Sequence, residues 1–171
     1  MQGCPSEMFG NDPVTLSEGL HTLVSEHLPL RDSLNELYSL CEKIKKGESD
    51  AFQQLIGDVD RFSSQLERHS KREEDILFRM MEEYLGKNGG PIAVMEYEHE
   101  QAHRYINDFV KNTTSDNQLT IEMQNHNASL IENAYHTLLN HFSKEEQVLY
   151  PMAERLFSDE EKQQLLAQIT K

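Results

Sequence analysis

The two halves of the chain repeat at one fixed offset, and this repeat limits the possible folds more than any other feature. The dipeptide at 26–27 recurs 72 positions later at 98–99. The segment HSKREEDILF at 69–78 recurs at the same offset as HFSKEEQVLY at 141–150. The simplest structure with such a duplication is two copies of one helical hairpin, packed about a pseudo-twofold axis.

Apolar residues in both halves return every three or four positions, the spacing that places them on one face of an α-helix. The predicted helices run over about 15–46, 51–85, 92–113 and 119–156, with a short last helix after the capping box of Ser158 and Glu161. Long amphipathic helices joined by short turns predict an all-α, up-down-up-down antiparallel four-helix bundle with a short C-terminal helix. We expect it to occupy residues 14–171, after a flexible lead-in over 1–13.

Charge and composition limit the class of partner. The 171 residues include 16 Lys and Arg against 30 Asp and Glu, which gives a formal net charge of -14. An acidic surface repels nucleic acid and anionic membranes, so neither is expected as a partner. The N-terminus lacks the pattern of a signal peptide, and Cys4 and Cys41 have no paired spacing, so a cytoplasmic location is expected. Cys41 lies among apolar helix positions and is interpreted as core packing.

Ionisable side chains interrupt the apolar stripes of these helices. His69 and Glu73, for example, lie on the stripe between Leu66 and Leu77. The residues that share this placement are His27, His69, Glu73, His99, His141 and Glu145. Six unpartnered polar groups would cost more than the roughly 5–15 kcal/mol that stabilises a typical domain. They must therefore pair with one another or bind a cation.

The four helices are expected to bring these side chains to one depth. His27 lies 20 residues before the turn at Gly47, and His69 lies 19 residues after Asp50. Because each helix rises about 1.5 Å per residue, the two histidines reach nearly the same height. The repeat carries the other pair of histidines to a matching level.

A His-x3-Glu motif presents both side chains on one helix face, one turn apart. Imidazole suits iron, zinc or copper, and a carboxylate can bridge two ions through its two oxygens. We therefore predict that Glu73 and Glu145 bridge two metal ions. The predicted terminal ligands are His27, His69, His99 and His141.

These residues resemble the hemerythrin, or HHE cation-binding, family, whose pattern is His, His-x3-Glu, His, His-x3-Glu on four helices. The resemblance covers about 16–156. It implies two iron ions as the cofactor, bridged by two carboxylates and by an oxo or hydroxo group.

The pair His99 and His103 is similar to the oxygen-carrying branch of that family. There one iron takes three histidines and the other takes two and keeps an open position. The resemblance thus implies His103 as a further ligand, unless it is only a hydrogen-bond donor beside the ligands. The open position would lie on the iron held by His27 and His69. The oxygen carriers have His-x4-Asp in the fourth helix where this chain has His-x3-Glu, which argues against simple reversible oxygen carriage.

Two other segments, 91–100 and 145–152, are similar to the iron–sulfur-cluster repair di-iron proteins. These use four histidines and two glutamates and lack a histidine at the place of His103. That branch is associated with nitrosative and oxidative stress and with iron donation.

Three functions therefore remain open. The first is a di-iron protein that binds a small diatomic ligand, O2 or NO, for sensing, storage or stress defence, as a ligand-binding metalloprotein more than as an enzyme. An oxidase or peroxidase activity stays open beside it, because a reduced di-iron site with an open position can activate O2. The second is an iron donor for damaged iron–sulfur clusters. The third is a structural bundle with a redox-inert ion.

Several other polar residues are interpreted as having no part in the site. Glu74 and Glu146 each lie about 100° around the helix from the preceding ligand and are interpreted as surface charges. Ordinary surface positions are also expected for His21, His126 and His136. Position alone assigns no role to Tyr97, Tyr135 or Tyr150.

Overall fold

All regular structure in residues 13–87, 90–115 and 118–171, the part of the chain that this computed structural model describes, is helical. The elements are α1 (Glu18–Lys45), α2 (Asp50–Arg72), α3 (Phe78–Leu85), α4 (Gly90–Thr113), α5 (Ile121–Lys144), α6 (Tyr150–Leu156) and α7 (Asp159–Ile169). A π-helical turn at Glu73–Leu77 joins α2 to α3, and another at Glu145–Leu149 joins α5 to α6. The predicted all-α class is confirmed, and the helix bounds differ from the prediction by three residues at most. Cys4 and the predicted lead-in, apart from Pro13, lie outside the described residues.

Glycines end two of the long helical segments. Gly47 after α1 and Gly86 after α3 have φ of +95° and +81°, a left-handed conformation that L side chains rarely adopt. The Gly86 N–H donates to the Glu82 carbonyl at 2.8 Å, which satisfies one of the last carbonyls of α3. The chain therefore turns sharply at both places and starts the next helix within a few residues.

The long helices pack mainly in three pairs. α1 packs along α2 and α5, and α4 packs along α5. Between α1 and the helical segment 121–156, Arg31 contacts Glu146 at 2.6 Å, whereas Lys45 contacts Glu132 at 2.5 Å. The residue number on this segment thus falls as the number on α1 rises.

Two apolar clusters fill the molecule and leave a polar slice between them. One cluster extends from Leu30 and includes the buried Cys41, whose predicted core position is confirmed. The other contains Leu23 and buried residues of α7. On α1 the slice therefore falls between Leu23 and Leu30, at the level of His27.

The short helix α7 packs against the start of α1. A Cβ added at Gly19 would meet the Leu166 nitrogen at 3.1 Å, so a side chain there would have to push α7 slightly away from α1. The predicted capping box of α7 is confirmed, with Ser158 Oγ accepting from the Glu161 N–H at 3.2 Å and Glu161 Oε2 accepting from the Ser158 N–H at 2.8 Å. None of the helices in the described residues has the length and apolar composition needed to cross a membrane.

Candidate metal centre

Six of the seven predicted ligands meet in the polar slice. Their donor atoms form two groups of four, and the atoms of each group lie within 4.8 Å of one another. The first position is surrounded by His27, His69, Glu73 and Glu145, and the second position by Glu73, His99, His141 and Glu145. All six side chains are at most 2 % exposed, and the two positions share both carboxylates.

The distances at the first position suit donors to a single ion. His27 Nε2 lies 3.1 Å from His69 Nε2 and 3.1 Å from Glu145 Oε2. His69 Nε2 lies 3.5 Å from Glu73 Oε2. Donors bound at about 2.0–2.1 Å to one ion lie roughly 2.9–3.4 Å apart, depending on geometry. The spacing of these four atoms therefore fits a bound cation.

The second position has similar spacing but leaves its donors unsatisfied. His99 Nε2 lies 3.2 Å from Glu73 Oε2, and His141 Nε2 lies 2.7 Å from Glu145 Oε1. None of these four buried atoms has a hydrogen bond of good geometry to another described residue. Leaving a buried polar atom unpaired costs about 1–3 kcal/mol. Four such atoms converging on one place fit a metal ion, and imidazole with carboxylate is a donor set that iron accepts.

Burial and opposite charge act against each other at these groups. Burial alone raises the pKa of Glu73, but the charges on His69 and His99 outweigh it and hold that pKa well below its usual range. Burial likewise favours neutral histidines, yet Glu73 and Glu74 raise the pKa of His99 to about 10. Glu145 raises the pKa of His141 to about 9. The neighbouring carboxylates thus favour proton uptake by His99 and His141 in the metal-free protein.

Four further carboxylates orient the four histidines. The Nδ1 atoms of His27, His69, His99 and His141 lie 2.7, 2.7, 2.7 and 2.9 Å from carboxylate oxygens of Glu146, Glu26, Glu74 and Glu98, respectively. A carboxylate at Nδ1 holds a ring proton there and directs Nε2 at the centre, where a metal ion would displace any proton that Nε2 carries. All four rings are therefore prepared to bind metal through Nε2.

The interpretation of Glu74 and Glu146 as surface charges is wrong. Their side chains are only 37 % and 28 % exposed, and each reaches a histidine on another helix. A turn of about 100° from the inner stripe ends at the boundary between helices, where a long side chain can still extend inward. The repeat could have revealed this role, because it keeps a glutamate directly after Glu73 and directly after Glu145.

Cationic side chains contact three of these orienting carboxylates. Arg31 donates to both oxygens of Glu146, at 2.6 and 3.2 Å. Arg72 and Lys144 make the ion pairs with Glu26 and Glu98, respectively. These pairs lie at the surface end of the Glu–His contacts, so these three carboxylates are held from both sides.

Each of the two shared glutamates, Glu73 and Glu145, begins a π-helical turn, which the sequence analysis missed. The Phe78 N–H donates to the Glu73 carbonyl, and the Tyr150 N–H donates to the Glu145 carbonyl, five residues back. The extra residue turns the following side chains by about 100° relative to a continuous α-helix. This rotation directs Phe78 and Tyr150 into the core, where both are fully buried. A strict α-helical period does not predict the direction of these two side chains.

His103 is the predicted ligand that the structure does not bring into either group. Its ring is partly buried and lines a cavity of about 320 Å³ at the side of the bundle, together with Ser70, Glu74 and Asn107. Burial and the charge of His99 lower its pKa. His103 therefore lies beside the two donor groups and not among their atoms. The other three histidines, 21, 126 and 136, are exposed as predicted.

Comparison with known proteins gives matches over most of the chain. The family model described as the hemerythrin HHE cation-binding domain matches residues 18–153. The iron-sulfur cluster repair protein YtfE of Dickeya chrysanthemi is 35 % identical over 101 residues, which cover 57 % of this chain and 45 % of that protein. The protein of the same name from Escherichia coli strain K12 / DH10B is 31 % identical over 144 residues, or 78 % and 63 % of the two chains. The chain thus spans less than two thirds of these relatives, and no solved structure matches it.

Proposed function

The chain belongs to the hemerythrin HHE cation-binding domain family, and we propose that it is a non-haem di-iron protein with one iron at each of the two positions. The observation that carries this proposal is the pair of four-atom donor groups that share Glu73 and Glu145. Two carboxylates common to two adjacent donor groups suit two ions held side by side. When bound, iron supplies a cation that can change its oxidation state and take up small ligands.

The proposed ligands are the two bridging glutamates and the four histidines of the two positions. The four Glu–His contacts at Nδ1 support this set, because metal-binding histidines commonly donate their other ring N–H to a carboxylate. His103 as a seventh ligand stays a prediction outside this proposal. We expect His103→Ala to keep its full iron content, which elemental analysis of the purified variant would test.

The proposal includes the up-down-up-down arrangement of the four helical segments 18–45, 50–85, 90–113 and 121–156. Short connections between them support it, as does the opposite chain direction of the contacts between segments 18–45 and 121–156. In this arrangement every segment contributes one histidine to the same slice.

We propose that the centre takes part in repairing iron–sulfur clusters, the role named for the relatives from Dickeya and Escherichia. Those names favour the repair function over diatomic ligand binding, which the sequence analysis placed first. In such a role the protein binds iron and gives it up to a damaged cluster.

Binding of O2 or NO is the second candidate. Each position offers four protein donors, whereas an iron ion commonly accepts about six. The remaining places are open to small molecules.

Elemental analysis and absorption spectroscopy test these assignments together. We expect two irons per chain in freshly purified protein and a visible charge-transfer spectrum in air. Iron that leaves under mild reduction would support donation, and retained iron whose spectrum changes with NO would support ligand binding. A colourless protein with stoichiometric zinc would contradict both and indicate a structural site.

A further inference from the structure

The two metal positions differ in one aromatic residue that the repeat makes directly comparable. Phe78 and Tyr150 are repeat partners, and each closes the π-helical turn that starts at a bridging glutamate. The Phe78 ring stacks on His99 with centroids 5.8 Å apart and an interplanar angle of 21°. The Tyr150 ring stacks on His27 at 5.7 Å and the same angle. The two rings thus occupy equivalent places, and only one of them has a hydroxyl group.

That hydroxyl group points into the first position. Tyr150 Oη lies 3.2 Å from His27 Nε2 and 3.5 Å from Glu145 Oε2, and it donates to Glu73 Oε1. These atoms belong to three of the four residues that surround the first position, and Tyr150 is fully buried. Its oxygen therefore stands among the donor atoms at a spacing that fits one more donor.

Packing alone does not explain the hydroxyl group. Phe78 fills the equivalent place in the other half without one, so the ring is sufficient for the apolar contacts. A buried hydroxyl group also costs free energy unless it finds a partner. In this structure its partners are the proposed metal ligands themselves.

The second position has no counterpart to this oxygen among the described residues. Its imidazole and carboxylate atoms lack a hydrogen-bond partner, and the side chain at the equivalent place is Phe78. The two positions therefore differ by one protein oxygen.

We propose that Tyr150 is a ligand of the metal ion at the first position and leaves the second position as the place where exogenous small anions and diatomic molecules bind. Coordination displaces the phenol proton, which is released to solvent. This inference rests on the proposed di-iron function. It also reverses the expectation that the open position lies on the iron held by His27 and His69.

The experiment compares the ferric wild-type protein with Tyr150→Phe, Phe78→Tyr and the double exchange Phe78→Tyr/Tyr150→Phe. Iron per chain is measured first, and circular dichroism checks that each variant is folded. Resonance Raman spectra in the visible band then report phenolate ring vibrations. Azide, followed by its absorption change, serves as the exogenous anion.

We expect phenolate vibrations in the wild type and their loss in Tyr150→Phe. We also expect one azide per wild-type chain and two per Tyr150→Phe chain. Phe78→Tyr should weaken azide binding about tenfold or more, because its hydroxyl group enters the second position. The double exchange should restore both the phenolate vibrations and the single azide, now at the opposite iron.

Two results overturn the inference, and they are distinguishable. A wild-type protein with fewer than two irons per chain refutes the di-iron function and the inference together. A wild-type protein with two irons whose Raman spectrum and azide stoichiometry match those of Tyr150→Phe refutes only the role of Tyr150. In that case the hydroxyl group merely orients Glu73.

Discussion

The hairpin of α1 to α3 and the hairpin of α4 to α6 agree in the residues that surround the metal centre and differ in the packing beside it. On one side, the Phe142 ring stacks on His27 at 4.4 Å, and the Arg31 guanidinium lies 5.7 Å from the centre of that ring. The space next to this histidine is therefore filled by an aromatic ring and closed by a cation.

On the other side, the repeat partners of those two residues are Ser70 and His103. Ser70 is 3 % exposed, and its hydroxyl group has no hydrogen-bond partner among the described residues. Both residues line the 320 Å³ cavity, whereas the equivalent places on the first side hold the ring and the cation. The comparison indicates that the four-histidine, two-glutamate set tolerates very different packing around it.

Replacing either of the two shared glutamates should have the largest effect. It tests whether the two hairpins contribute equally to iron binding. We expect Glu73→Gln and Glu145→Gln each to lose most bound iron while the helices remain, because a neutral amide cannot bridge two cations. Elemental analysis and circular dichroism measure the two outcomes, with the exposed Glu67→Gln as the control. Full iron in one variant and none in the other would show that only one carboxylate bridges. Collapse of both would indicate a structural site.

The differences in packing should produce the next largest effect. Phe142→Ala should lower the free energy of unfolding by about 3–5 kcal/mol, since it removes a fully buried ring. Ser70→Ala should change it little or raise it, because an unpaired buried hydroxyl group is removed. Urea denaturation of the metal-free proteins measures both. Similar losses in the two variants would mean that the halves are packed equally well.

Stability of the metal-free protein should depend on pH through the histidines of the second hairpin. The pKa of His99 in the folded protein is about 10, and that of His141 is about 9, both above the ordinary 6.5. Their contribution is thus complete below about pH 6.5 and is lost as the pH rises through 9 to 10. We expect the free energy of unfolding to fall across this window. Zinc-loaded protein is the control, because metal-bound imidazoles have no proton to lose at Nε2, and an equal slope there would contradict the assignment.

Replacing the carboxylates that contact the histidine Nδ1 atoms should have the smallest effect. The effect should be similar in the two hairpins. We expect Glu26→Gln and Glu98→Gln to weaken metal binding about 10- to 100-fold, because each amide orients its histidine less firmly. Competition with a chelator measures both affinities. A loss confined to one variant would show that one hairpin holds its histidine by other means.

Sequence periodicity predicted the helices and the six clustered residues. Inward-facing positions recur at helical spacing, and the second half of the repeat gives an independent check on the first. Periodicity failed where the α-helix gives way to a π-helical turn. A strict α-helical period cannot place Phe78 and Tyr150, because the π-helical turns rotate them. It also could not follow the long side chains of Glu74 and Glu146 back toward the histidines, since their direction depends on the neighbouring helix.

The sharing of carboxylates has a mechanical consequence. In the proposed centre each hairpin supplies three ligands to its own position and one glutamate to the other, so an ion at either place would cross-link both halves of the molecule. Unloading iron would therefore remove this cross-link as well as empty the centre. A chain cut in the loop between α3 and α4, which joins the two hairpins, should consequently stay assembled more firmly with metal than without it.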